Sequence, residues 1–296
     1  MLRTLLFTLL TLASSVSDVH AALKIVTTLP DLGAIARTIG GAEVEVKVLV
    51  HRDEDPHFVD PKPSFLVHLR QADVLILNGM GLEASWMDGL LSSARNAKIR
   101  PGGSGHIDAS RVIKARETGL TDRSEGDIHP AGNPHYLYDP REALPVAALI
   151  GRTLARLDPK NGELFIERTK ALRQRIFLLA KTERNRFSQL PPSHRKVVSY
   201  HRSLAYFADW LRLQLVAELE PKPGIAPTPA HVARVMTAMR KQGVRAFLKE
   251  RYYPSKVSEK VAQATEARLI TIRPSDGGSY VENLRTIVGQ LYQALR

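Results

Sequence analysis

Residues 158–192 read DPKNGELFIERTKALRQRIFLLAKTERNRFSQLPP, and they decide the architecture. Asp158-Pro159 is a helix start, because proline suits the first helical turn, and Pro191-Pro192 is a stop. From Glu163 to Gln189 the run holds no glycine or proline. Leu164, Ile166, Leu172, Ile176, Leu179 and Phe187 set apolar positions among many charges. At ~1.5 Å per residue, such a helix is about 40 Å long, enough to cross a protein of two lobes.

The same rhythm stands on either side of that helix. Upstream, residues 24–28 (KIVTT) read as a strand, and a helix follows from Asp31 to Gly40-Gly41. Residues 44–50 (VEVKVLV) alternate like a strand, and 51–63 are a proline- and acid-rich loop. Ser64 caps a helix to Arg70, and 74–77 form an apolar strand ending at Asn78-Gly79. Residues 101–134, rich in Gly, Pro, Ser and charge, read as a long loop with little regular structure. Asp139-Pro140 opens a helix to Leu157. Downstream, strands at 196–200, 213–219, 246–249 and 269–272 alternate with helices at 203–211, 230–241, 256–266 and 280–295. This pattern predicts an α/β fold of two lobes, each a mainly parallel sheet with flanking helices, bridged by one long rigid helix. The expected boundaries are a signal peptide over 1–21, an N-terminal lobe over 22–157, the bridging helix over 158–190 and a C-terminal lobe over 191–296. The halves share an architecture without a convincing sequence repeat.

Arg3, the short apolar run at residues 5–13 and Val19-His20-Ala21 have the layout of a cleavable secretory signal. No later run approaches the ~18 apolar residues of a membrane span. The sequence has no cysteine, which excludes disulfides, thiolate zinc sites, thiol catalysis and a lipid-modified cysteine. An exported chain of this kind is expected in a bacterial periplasm, and any zinc site in it must use imidazole and carboxylate. The net charge is +12, but the basic residues are mixed with acids, as in residues 181–186 (KTERNR). Mixing of this kind gives a solvated helix face, so no nucleic-acid partner is expected.

Three of the ten histidines sit in telling places. His57 lies in the loop after a strand, in Asp55-Pro56-His57-Phe58. His135 lies in Asn133-Pro134-His135-Tyr136, just before a helix, and His201 directly follows the strand at 196–200. Ligand groups of open α/β sheets gather at strand carboxyl ends, and these three come from both lobes. A lone loop histidine is ordinarily a solvated or capping residue, so it is the shared placement that carries weight. Asp276, in Ser275-Asp276-Gly277-Gly278 after the last strand, is a candidate oxygen ligand; the competing reading is an ordinary Asp-Gly turn. Glu250 ends a strand at the same edge, as a ligand, a hydrogen-bond partner of a histidine or a surface acid. Three imidazoles and one carboxylate suit zinc, whereas manganese favours more oxygen. No HExxH helix, GxSxG elbow or GxxxxGK[ST] loop is present.

Four stretches occur in the order and at the spacing of a known family: residues 54–64 (EDPHFVDPKPS), 127–140 (DIHPAGNPHYLYDP), 199–207 (SYHRSLAYF) and 220–230 (EPKPGIAPTPA). With them the chain resembles the periplasmic solute-binding proteins of zinc and manganese ABC importers. The resemblance implies metal in the crevice between the lobes, held by His57, His135 and His201, and no enzymatic activity. Histidine at the third position implies a zinc-type member. The fourth family ligand is an aspartate commonly followed by Pro-Leu-Gly. Here Arg273 takes that place, so Asp276 fills the role through a local shift, with water or Glu250 as alternatives. The loop at 116–132 holds only His129 where zinc members carry many histidines; His129 is either a transient metal contact or a structural residue. The implied partners are a membrane permease and a metallochaperone, with the chain working as a monomer. The competing classes are a manganese or broad-specificity component of such an importer, a secreted zinc hydrolase and a surface adhesin.

Overall fold

A computed structural model describes residues 21–119, 129–275 and 277–296. The signal peptide except for Ala21, part of the 116–132 loop, and Asp276 lie outside the described residues.

The βα rhythm resolves into two parallel sheets of four strands each. In the first, β1 (Leu23–Thr27), β2 (Val44–Val48), β3 (Val74–Leu77) and β4 (His106–Asp108) lie in the order β2-β1-β3-β4. In the second, β5 (Lys196–Ser199), β6 (Gln214–Glu218), β7 (Ala246–Glu250) and β8 (Arg268–Ile272) repeat it as β6-β5-β7-β8. Each chain half leaves its first strand to one side and returns on the other. The switch point therefore falls beside β1 in one lobe and β5 in the other, where loops diverge at the carboxyl ends and leave a crevice.

Four helices pack on the first lobe: α1 (Pro30–Gly40), α2 (Pro63–Gln71), α3 (Met87–Ala94) and α4 (Pro140–Leu157). The bridge is α5 (Gly162–Ser188), and α6 (Ala205–Leu211), α7 (Pro229–Gln242), α8 (Ser255–Thr265) and α9 (Tyr280–Leu295) complete the second lobe. The outer sheet faces are covered by α2 and α3 in one lobe and α7 and α8 in the other, over separate apolar cores. The inner core is continuous from Ile25 and Ile35 through Phe165 and Ile176 to Trp210 and Leu291, so it joins both lobes and the bridge.

The bridging helix begins later than the Asp158-Pro159 signal, because residues 159–161 form a 3-10 turn with Asp158 accepting from the Asn161 N–H. Its buried stripe includes Leu172, Ile176, Leu179 and Phe187 as expected. One turn earlier the stripe runs through Phe165 and Thr169, leaving Leu164 and Ile166 half-buried. Phe165 lies seven residues before Leu172, two turns on the same face. Arginines fasten α5 to both lobes. Arg168 donates to the Gly40 carbonyl and the Glu43 carboxylate, and Arg184 donates to the Asp209 and Trp210 carbonyls.

Two elements differ from the sequence reading. The expected long loop contains β4, an edge strand of only three residues, and α3 forms where the sequence reading had placed no element. Neither has a long periodic run to announce it. β4 is held by its pairing with β3, and the carboxylate of Asp108, its last residue, packs where a Cβ on Gly79 would stand. Gly79 has φ +83, which glycine adopts without steric cost.

The lobes are also tied directly. Asp31 on α1 accepts from the Ser275 N–H at 3.0 Å and from its hydroxyl at 2.5 Å, and the Tyr280 hydroxyl donates to the Leu137 carbonyl. Burial pushes the Asp31 carboxyl up, against the lowering effect of the Ser275 hydrogen bonds. A carboxyl raised in the folded state favours folding below its unfolded pKa and loses that contribution as pH rises through the folded value. An asparagine keeps the acceptor and carries no charge. Asp31→Asn is therefore expected to raise the melting temperature of the metal-free protein near pH 7, with the gain shrinking towards pH 4. A gain that grows on acidification contradicts this account.

Candidate metal centre

Two strand ends and one helix approach bring the site together. His57 stands in the loop after β2, His135 precedes α4 across the first lobe, and His201 follows β5 in the second. All three are buried, at 4%, 9% and 4% exposure. One ligand nitrogen from each lies within 4.8 Å of the other two. This is the single group of three or more potential metal ligands among the described residues.

Each imidazole is held from behind. His57 has its Nδ1 2.7 Å from Asp55 Oδ1, which also accepts the His57 backbone N–H. His135 has its Nδ1 2.9 Å from Asn133 Oδ1, which likewise accepts its backbone N–H. The two Asx-Pro-His segments thus make the same turn. His201 is served from a distant position, with its Nδ1 2.5 Å from Glu220 Oε2. Glu220 is placed by the sheet: its N–H donates to the Tyr200 carbonyl, extending the β5–β6 ladder, and its Oε1 accepts from the Gly224 N–H. Carboxylates and the amide oxygen only accept, so every Nδ1 carries a proton and Nε2 is the nitrogen each ring leaves for a metal. The Nε2 atoms of His57 and His135 are buried and have no hydrogen-bond partner. A buried polar atom left this way costs free energy that a metal bond would offset.

The loops bearing these histidines are stiffened by more than their prolines. Ser85 donates its hydroxyl to the His57 carbonyl at 2.7 Å, and Trp86 Nε1 donates to the Pro56 carbonyl at 3.0 Å. Asn78, wholly buried, donates through Nδ2 to the Pro134 carbonyl and accepts from the Tyr136 hydroxyl. Its own N–H goes to the buried Glu83 carboxylate, which also takes the Gly79 N–H and the Thr28 hydroxyl.

The electrostatics favour a cation. Burial, then the neighbouring histidines, hold His135 well below the ordinary imidazole range, so it is a neutral donor. At His201 burial lowers the pKa, but the Glu220 hydrogen bond and the charges of Glu250, Glu220 and Asp55 outweigh it and push it up. Asp55 stays ionised below the usual range although burial opposes it, because His57 and the His201 charge prevail.

The remaining sequence candidates fall into three cases. Glu250 is buried at the end of β7, where it accepts the Ser203 hydroxyl; burial pushes its carboxyl up. It faces His201 electrostatically but is not in the ligand cluster. His129 is brought beside the cluster, its ring centroid 5.2 Å from that of His57, without joining the set of close ligand nitrogens. Asp276 lies outside the described residues, though Ser275 before it is buried at the same crevice edge. Sequence reasoning missed Asp55, Asn133 and Glu220 as the groups that orient the imidazoles. Asp55 and Asn133 were findable, since both stand two residues before a histidine across a proline; Glu220 lies 19 residues from His201 and needs the sheet.

Two parallel α/β lobes on one bridging helix, with buried imidazoles converging in the crevice, define a metal-binding solute-binding protein of an ABC importer. The chain matches the family model ZnuA, "Zinc-uptake complex component A periplasmic", over residues 25–294, and it belongs to that family. Iron-binding protein YfeA of Yersinia pestis is 25% identical over 252 residues, covering 85% of this chain and 77% of its own length. Manganese-binding lipoprotein MntA of Halalkalibacterium halodurans is 24% identical over 234 residues, covering 79% and 73%. A crystal structure of ZnuA superposes with a TM-score of 0.79 at 24% identity, covering 93% of this chain and all of the other, which shows the shared fold. The family comprises solute-binding proteins of ABC transporters rather than enzymes, and its cargo is a divalent metal.

If the oxygen behind each imidazole sets its orientation, removing one weakens metal binding without removing a ligand. Glu220→Ala is expected to lower zinc affinity roughly 10- to 100-fold, measured by competition against a chelating dye. Unchanged affinity in a folded variant defeats the role given to Glu220.

Proposed function

We propose that this chain captures Zn2+ in the periplasm and delivers it to the membrane permease of an ABC importer driven by a cytoplasmic ATPase. The observation that carries the reading is the cluster of three buried histidines with ligand nitrogens within 4.8 Å and outer nitrogens tied to oxygen. In this reading His57, His135 and His201 ligate the ion, and Asp276 supplies the fourth donor from the loop after β8. Glu250 and His129 flank the set, Glu250 adding negative charge near His201. The secretory pattern at the N-terminus supports export. A monomeric chain supplied by a periplasmic metallochaperone belongs to the same reading.

Zinc is favoured over manganese by the donor chemistry. A set rich in neutral imidazole suits zinc, whereas manganese prefers carboxylate, carbonyl and water. The manganese reading draws on relatives such as MntA, whose name carries that metal. Equilibrium dialysis of the metal-free protein against equal Zn2+ and Mn2+ separates the two, with zinc expected to occupy the site. His57→Ala, His135→Ala and His201→Ala are each expected to lose stoichiometric zinc. Full zinc content in all three variants would falsify the site, and preferential manganese uptake would overturn the zinc assignment alone.

A further inference from the structure

The two Asx-Pro-His turns are alike in geometry but not in residue. Asp55 serves His57 and Asn133 serves His135, each by one oxygen that accepts the histidine N–H and Nδ1–H. A carboxylate therefore suffices for the turn. The difference lies on the other side of the side chain. Asn133 Nδ2 donates at 2.8 Å to the carbonyl of Arg202, the residue after His201 in the second lobe, and at 2.9 Å to Glu117 Oε2. Glu117 in turn accepts from Arg202 Nε at 3.2 Å. Both Nδ2 partners are acceptors, so position 133 needs an amide. Asn133 is buried, and its backbone N–H is also used, donating to the Arg116 carbonyl.

We infer that Asn133 is a positioning residue that couples the lobes at the metal centre, one end of its amide orienting His135 and the other holding the backbone beside His201. The inference rests on the proposal that His135 and His201 bind the same ion. Metal then binds only chains in which both imidazoles are in place, and apparent affinity scales with the fraction of molecules in that state. One amide sets both conditions at once. Aspartate at 133 separates them. It keeps the oxygen that orients His135, as Asp55 does for His57, but turns a carboxylate against the Arg202 carbonyl and the Glu117 carboxylate, and like charges at hydrogen-bond distance repel.

The test measures Zn2+ affinity and Zn2+ release into excess chelator, with melting of the metal-free proteins as the folding control. Asn133→Asp is expected to bind zinc at least tenfold more weakly and to release it faster. Adding Glu117→Gln to Asn133→Asp is expected to recover part of that loss, because the new amide donates to the carboxylate. Glu117→Ala alone is expected to weaken binding roughly fivefold, the size of one lost hydrogen bond, and it decides the matter should Asn133→Asp not fold. Wild-type affinity in Asn133→Asp, or in Glu117→Ala if only that variant folds, shows that Asn133 acts on His135 alone and overturns the coupling. His135→Ala and His201→Ala keep the two failures apart. If both retain zinc, the metal reading itself has failed; if both lose it while Asn133→Asp retains it, only the coupling has.

Discussion

The site depends on one property of imidazole: a ring has two nitrogens, and fixing the proton on one fixes the lone pair on the other. At all three histidines a side-chain oxygen takes Nδ1–H, from Asp55, Asn133 or Glu220. The tautomer and ring direction follow, and Nε2 turns to the common centre. Without those oxygens the same histidines would be free to rotate or to take the other tautomer, and proximity alone would not aim three nitrogens at one centre. The acids also set the charge balance: the donors facing the centre include neutral His135, while carboxylates behind them offset an incoming dication.

The fold gathers these oxygens and imidazoles by repetition. Both sheets have their first strand inside the sheet, so both open a crevice at the carboxyl ends of their strands. His57, His201, Glu220 and Glu250 all follow or end strands. Parallel pairing then makes neighbours of residues far apart in sequence, as the β5–β6 ladder does for Glu220 and His201. The continuous inner core and the arginines at both ends of α5 hold the two crevices face to face. Lobe spacing thereby sets how the three imidazoles face one another, because two come from one lobe and one from the other.

Much of this was legible in the sequence where the signal was local. The long run after Gly162 had no breaker, and its apolar spacing announced one helix. The βα alternation announced parallel sheets. Histidines after a strand or beside a proline announced candidate ligands. Short elements without period were not legible: β4 exists because β3 offers it an edge, and α3 because Ser85 and Trp86 just before it bond to the loop of His57 while Met87 and Leu91 pack into the outer core.

What the sequence determined by itself is the lobe–helix–lobe plan and the three imidazoles, since each is written in neighbouring residues whose spacing has a direct physical meaning. What only the tertiary structure decided is how those imidazoles are aimed. Glu220 reaches His201 across a strand ladder. Position 133 must be an amide rather than an acid because a carbonyl and a carboxylate from elsewhere in the chain face it. Hydrogen-bond donors and acceptors are matched in space, and a chain read in one dimension does not show which of them will meet.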